Sequence, residues 1–247
     1  MEWYNLLLLL GVGTLAGFIN ALAGGGSILT VPALIFIGLP ASVANGTNRI
    51  AVVAQSLSSV ASYHKENFRL YKQSGLYALA ALPGALLGAF TAVQISDDLF
   101  KRILAVLTIL IVLTLFIPIT KRQNDMAPKS SRLLFIPAMV AIGFYGGFLQ
   151  IGVGFMIMAA LYHLEKLDLI KVNIHKVFLM LLFTVPALLI FVLSGRVQWL
   201  PGLVLAAGNA TGAWWGAKAN IKGGEKLIRI MVAVAAMIMA AKLFELF

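Results

Sequence analysis

Two positive side chains lie where an apolar chain should carry none. Arg49 sits about two turns into the apolar segment Val43–Tyr63, and Lys176 holds the corresponding place in the second half of the chain. A buried cation is costly without a counter-charge, and no acidic residue stands near either one in sequence. An anionic ligand would supply that charge. A guanidinium can pair two hydrogen bonds with an oxyanion, and an ammonium adds a point charge. Each cation has polar company: Asn45, Thr47 and Asn48 beside Arg49, and Asn173 and His175 before Lys176. The plainer alternative is that each cation snorkels from a helix end to the lipid headgroups. Its occurrence at equivalent positions in two halves favours a shared site.

Backbone donors suited to an anion come from glycine. The stretch GFINALAGGGSILTVPAL (Gly17–Leu34) is interrupted by Gly24, Gly25 and Gly26 before Ser27, and QIGVGF by Gly152 and Gly154 just after Gln150. The apolar segments that follow, Ser27–Ile37 and Phe155–Leu164, are too short to cross a bilayer. Glycine lets a helix end inside a membrane and exposes N–H groups at the start of the next piece. Such backbone survives there only when it is buried or lines a cavity, and a helix N-terminus attracts anions. Gln150 reads equally well as a site residue or as an interhelical hydrogen-bonder.

Other chemistries find little support. The acids, Glu2, Glu66, Asp97, Asp98, Asp125, Glu165, Asp168, Glu225 and Glu245, all fall at termini or in expected loops. Cation carriers usually hold a carboxylate inside the membrane. His64, His163 and His175 are the only histidines and cysteine is absent, so a metal site is not expected. His175 reads first as a satisfied polar residue, and second as the one intramembrane proton candidate. No Gly-Lys-Ser/Thr phosphate loop and no nucleophile with a nearby His and acid is present, so neither a cofactor nor an enzymatic activity is expected.

The elements that must position these residues are membrane helices. With 61% hydrophobic and 11% charged residues, the chain is far from a soluble composition. Apolar segments run Asn5–Leu22, Ser27–Ile37, Val43–Tyr63, Leu76–Ile95, Leu99–Ile119, Leu133–Leu149, Phe155–Leu164, Ile174–Leu193, Leu200–Ala217 and Leu227–Leu246. The start, MEWYN, lacks the basic region of a cleaved signal, so Leu6–Leu10 reads as the start of a retained helix. The net charge of +10 is the usual topology signal of basic loops, not a sign of nucleic acid.

An internal repeat organises the chain. Gly17-Phe18 corresponds to Gly143-Phe144, then the two glycine breaks correspond, then Asn48-Arg49-Ile50 and His175-Lys176-Val177. Gly84–Ala89 follows with Gly212–Ala217, and Leu99-Phe100-Lys101 with Leu227-Ile228-Arg229. Residues 1–120 form the first repeat, a polar linker covers 121–132, and 133–247 form the second. Gly84/Gly88 and Gly212/Gly216 have the small-residue spacing of close helix packing. The basic groups Lys65–Lys72, Lys121–Arg132, Lys166–Lys171 and Lys218–Lys226 are expected in four loops on one side, and the turns at Leu39-Pro40, Asp97-Asp98 and Gly195-Arg196 on the other. That requires each broken segment to return to its starting side; counting each as one pass instead gives parallel repeats and a worse charge distribution. The expected fold is therefore an all-α polytopic membrane protein of two inverted repeats, each with a broken or re-entrant first helix and about three transmembrane helices.

At these motifs the chain resembles the TauE/SafE family, the sulfite exporter family of permeases. The resemblance rests on GFINALAGGGSILTVPAL with GLPASVANGTNRI, and on GFYGGFLQIGVGFMIMAAL with VNIHKVF and SGRVQWLPGLVLAAGNATGAWWGA. It covers nearly the whole chain and implies transport of sulfite, sulfoacetate or a related sulfonate across a bacterial-type inner membrane. The family's breaks and Asn-x-x-Asn-Lys/Arg segment map onto Gly24, Gly25, Gly26, Asn45, Asn48 and Arg49, and onto Gln150, Gly152, Gly154, Asn173, His175 and Lys176. Many members carry a small hydroxyl residue where His175 stands and glycine where Gln150 stands. The expected partners are a small anion and the bilayer, and a homo-oligomer is compatible with the sequence. An anion channel and a non-transporting subunit of a larger complex are the alternative readings.

Overall fold

The computed structural model describes residues 2–68, 70–115 and 132–244. Within them the chain forms helices α1 (Trp3–Ala23), α2 (Ser27–Phe36), α3 (Ala41–Lys65), α4 (Tyr71–Gln94), α5 (Asp97–Leu115), α6 (Arg132–Phe148), α7 (Val153–His163), α8 (Leu169–Leu193) and α9 (Trp199–Phe244), and no strand. Among the described residues α1, α4 and α8 are each long and apolar enough to cross a membrane. Residues 121–131 of the expected linker lie outside the described residues, as do Arg69, Asp125 and Glu245, while Arg132 already opens α6.

Both breaks fall where the glycines require them. Gly24 ends α1 in the left-handed region at φ 88°, its N–H returning to the Asn20 carbonyl. That conformation suits glycine and stops a helix. The second break uses Gln150 at φ 63° and then Gly152 at φ 70° before α7 begins. The breaks meet at their backbones. A Cβ built on Gly24 would fall 2.6 Å from the Gly154 carbonyl carbon, and one built on Gly154 would fall 2.5 Å from Gly24 Cα.

Small residues set the helix pairs. α1 lies along α9 and α4 along α6, each pair parallel and in backbone contact. A Cβ on Gly84 would fall 2.0 Å from the Val140 carbonyl oxygen, and one on Gly212 would fall 1.9 Å from that of Thr14. Thr14 and Val140 are themselves repeat equivalents, so the first helix of each half packs on the Gly-xxx-Gly helix of the other. α3 and α8, also equivalents, run antiparallel. Ser42 bonds Arg196 at one end, and Tyr63 packs on Ile174 and Val177 at the other.

The connections sort to two ends. At one, Asp97 Oδ1 accepts from the Ser42 N–H (2.8 Å) and Arg196 Nη1 donates to Ser42 Oγ (2.7 Å), which joins the starts of α3 and α5 to the α8–α9 turn. At the other, Lys65 and Lys218 stand 4.9 and 5.5 Å over the Trp214 ring, and Tyr77 near the start of α4 donates to Glu165 in the α7–α8 connection. Lys65, Lys218 and the α7–α8 connection thus share one end of the bundle, while Arg196 and Lys101 lie at the other.

One expectation is corrected. Leu200–Ala217 and Leu227–Leu246 are not separate segments joined by a basic loop, because α9 is continuous over 46 residues, about 69 Å. Lys218, Lys222 and Lys226 therefore lie on a helix. The stretch between the apolar parts has no proline, and Ala, Lys and Glu are good helix formers that offset the Gly223-Gly224 pair. Helices α3, α4 and α8 also start earlier than their apolar runs, since α8 is capped by Asp168, whose Oδ1 accepts from the Lys171 N–H at 2.9 Å.

Candidate functional site

Arg49 and Lys176 are both fully buried and point inward. Each reaches the broken first helix of the opposite half. Arg49 donates to the carbonyls of Gly146 (3.2 Å) and Gly147 in the last turn of α6, and its guanidinium lies 4.4 Å from the centre of the Phe191 ring. Lys176 Nζ donates to the carbonyls of Asn20 (2.8 Å) and Ala21 (3.3 Å) in the last turn of α1, and to Asn173 Oδ1 (2.6 Å). The last carbonyls of a helix have no partner within it and carry its negative end. Two broken helices thus receive their C-terminal caps from two side chains across the repeat.

The asparagines repeat this pattern. Asn45 Nδ2 donates to the Phe148 carbonyl (2.9 Å), and Asn173 Nδ2 to the Leu22 carbonyl (2.8 Å). Asn45 and Asn173 are therefore the structural equivalents. Arg49 follows its asparagine by four residues and Lys176 by three, so both cations share a helix face with it. On the first break, Asn48 Nδ2 donates to Ser27 Oγ (3.2 Å) and Asn48 Oδ1 accepts from Thr30 Oγ1 (2.6 Å), which fixes α3 to the first turn of α2. Neither α2 nor α7 has a side-chain N-cap.

Glycines 24–26, 152 and 154 with Ser27, Asn45, Asn48, Arg49, Gln150, Asn173 and Lys176 are brought together around the crossed breaks, all buried. Two expected residues turn away. Thr47 Oγ1 accepts from the Gln198 N–H (2.9 Å) before α9, and His175 faces α4, with Nδ1 2.8 Å from Ser74 Oγ and its ring edge-on to Tyr77. Asn20 and Thr30 join the site without having been singled out. Both were visible as polar residues inside the quoted apolar stretch, and Asn20 lies four residues before a break glycine. Asn20 Oδ1, Asn45 Oδ1, Arg49 Nε and Gln150 Oε1 are buried without a protein partner. Among the described residues no carboxylate is buried, and no His, Asp and Glu cluster suits a metal.

The electrostatics of this centre are positive. A helix end carries roughly half a unit charge. The two C-termini therefore offset the two cations only in part, while the N-termini of α2 and α7 add positive potential. Donors and positive potential of this kind are what an oxyanion would require.

The sequence matches the family model described as Sulfite exporter TauE/SafE over residues 9–243. It is 31% identical to the "Probable membrane transporter protein YfcA" of Escherichia coli K12, over 98% of this chain and 94% of that protein. A "Probable membrane transporter protein" of Haemophilus influenzae is 30% identical over 96% and 94%. YunE of Bacillus subtilis, also named a probable membrane transporter protein, is 25% identical over 97% of both chains. No solved structure matches. On its crossed glycine breaks, its paired cations and these matches, the chain belongs to the TauE/SafE family of membrane transporters.

Proposed function

We propose that this protein is a multi-pass secondary transporter of the cytoplasmic membrane that moves a small anion by alternating access between two inverted repeats. Sulfite is the substrate that the family description names, and sulfoacetate and related sulfonates carry the same kind of sulfur oxyanion. The observation that carries the reading is the pair of buried cations, Arg49 and Lys176, each tied to the broken helix of the other half. An anion that draws either cation off its carbonyls uncaps a half-helix, so occupancy and conformation are linked. The antiparallel crossing of the equivalent helices α3 and α8 supports inversion, and the gathering of lysines at one end supports a single cytoplasmic side.

The test is saturable uptake of radiolabelled sulfite and sulfoacetate into proteoliposomes. Arg49→Ala and Lys176→Ala should each lower initial uptake at least about tenfold, a loss of about 1.4 kcal/mol of transition-state stabilisation. Full uptake in both variants removes the site. Flux that never saturates favours a channel, and no flux of any sulfur oxyanion removes the transport reading.

A further inference from the structure

His175 is the one buried ionisable residue of the α8 motif that the anion site does not use. It faces α4, away from Lys176. Its Nδ1 lies 2.8 Å from Ser74 Oγ, and that hydroxyl lies 2.8 Å from the Leu70 carbonyl oxygen. A carbonyl only accepts, so the single Ser74 proton goes to Leu70 and Ser74 accepts from His175 Nδ1–H. This assigns the unprotonated nitrogen to Nε2, which is buried without a protein partner. A lone pair held bare in that way is a proton acceptor.

Tyr77 lies between the imidazole and the α7–α8 connection. The Tyr77 ring stands edge-on to the imidazole at 5.3 Å, and its hydroxyl donates to Glu165 Oε2 (2.8 Å) and accepts from Gln73 Nε2 (2.6 Å). Glu165 lies in the α7–α8 connection, at the lysine-rich end. The charged groups nearest His175 are Glu165 and Asp168 in that connection and Lys171 on its own helix. Tyr77 on α4 contributes only its ring edge and hydroxyl. Tyr63 on α3 packs on Ile174 and Val177 and accepts from Asn220. Lys176, the next residue, turns its ammonium to the Asn20 and Ala21 carbonyls of α1.

We propose that His175 is the proton-binding site of the carrier, taking one proton on Nε2 for each anion bound beside Lys176. The inference rests on the anion-carrier reading. With the anion site empty, Lys176 repels a second positive charge on its neighbour. With an anion bound, that repulsion is neutralised and the imidazolium gains an attractive partner. Each ligand therefore raises the affinity for the other, as linkage requires. The proton enters as H⁺ from the Glu165 side, forms the imidazolium and leaves as H⁺ with the anion, so no other bond changes.

The experiment uses proteoliposomes with about pH 6 outside and about pH 7.5 inside, a gradient that drives protons inward. Radiolabelled sulfoacetate is the probe, because neither of its acid groups titrates there. The wild type should concentrate sulfoacetate at least about tenfold over the no-gradient control. His175→Gln should still exchange labelled for unlabelled sulfoacetate at equilibrium, yet concentrate none. Equal concentration by wild type and His175→Gln overturns the role of His175 alone. Absence of exchange in the wild type overturns the carrier reading and this inference with it. A pH dye trapped inside the vesicles decides the case in which His175→Gln is inactive. One proton should enter per sulfoacetate in the wild type, and uptake without interior acidification overturns the proposal.

Discussion

Lys176 Nζ lies 2.8 Å from the Asn20 carbonyl oxygen, so a side chain of α8 holds the broken end of α1. Arg49 on α3 does the same for α6 through the carbonyls of Gly146 and Gly147. The relationship is reciprocal: each half supplies the cation and each half supplies the carbonyls. It also explains how two cations persist in a core where, among the described residues, no carboxylate is buried. The negative ends of interrupted helices are the resident counter-charge.

The two caps are not chemically alike, and Arg49→Lys separates them. The guanidinium spans two successive carbonyls and lies over the Phe191 ring at once. An ammonium on a shorter reach cannot keep that fork and the stack together. Anion uptake by Arg49→Lys should fall at least about tenfold, or about 1.4 kcal/mol, even though the charge is kept. Rates near wild type would mean that charge alone matters at this position. Initial uptake rates in proteoliposomes measure it.

Glycine positions on one helix should respond oppositely to the same substitution. Gly75 and Gly84 both lie in α4. A Cβ at Gly75 meets nothing within 4 Å, whereas one at Gly84 would fall 2.0 Å from the Val140 carbonyl oxygen. Gly75→Ala should leave stability unchanged or raise it by up to about 1 kcal/mol, through helix propensity and a less flexible unfolded chain. Gly84→Ala must push α4 off α6 and should cost about 1–3 kcal/mol. Thermal unfolding in detergent reads both, and equal melting temperatures would contradict the backbone contact.

Much of this frame is readable in the chain because glycine leaves a local mark. The expected short segment Ser27–Ile37 is α2, Ser27–Phe36, and the break before it falls on the predicted glycines. The basic stretch Lys218–Lys226 misleads for the opposite reason. Lysines on a helix surface and lysines in a loop look alike in hydropathy, and only a continuous backbone tells them apart. The partners of Arg49 and Lys176 were hidden more deeply. Asn173 apart, the oxygen acceptors are main-chain carbonyls, which every residue carries, so no residue type announces them. Thr47 and His175 entered the site by adjacency in sequence, but successive residues on a helix point about 100° apart. That turn carries Thr47 to α9 and His175 to α4.

Asp97 should make stability depend on acid pH. Helix α3 begins after Pro40, which offers no side-chain cap, and Asp97 supplies the missing acceptor from the start of α5. Burial pushes its carboxyl up, but the Ser42 hydrogen bonds and the Lys101 ammonium prevail, and the net displacement is below the ordinary 3.8. A group depressed in the folded state stabilises above its unfolded value, and that contribution is lost as pH falls through the folded value. Asp97→Ala should therefore cost about 1 kcal/mol near neutral pH, as for other lost caps. The gap to wild type should close as the pH drops below the ordinary carboxylate range. A gap in melting temperature that stayed constant into acid would show that the carboxylate charge is not the source.

Gln150 offers the sharpest contrast between backbone and side chain. It occupies the left-handed position that ends α6, at φ 63°, where Gly24 stands at φ 88° in the first break. A residue with a Cβ is strained there by roughly 1 kcal/mol. Its side chain offsets that strain, since Nε2 donates to the buried Thr184 Oγ1 at 2.9 Å. Gln150→Gly removes the strain and the hydrogen bond together, and unpairing Thr184 costs about 1 kcal/mol or more. The two changes should nearly cancel, leaving melting close to wild type. Gln150→Ala keeps the strain and loses the bond, so it should be destabilised by about 1–3 kcal/mol. Gln150→Ala more stable than Gln150→Gly would mean that the second break does not hold its left-handed turn, and that the two breaks are not built alike.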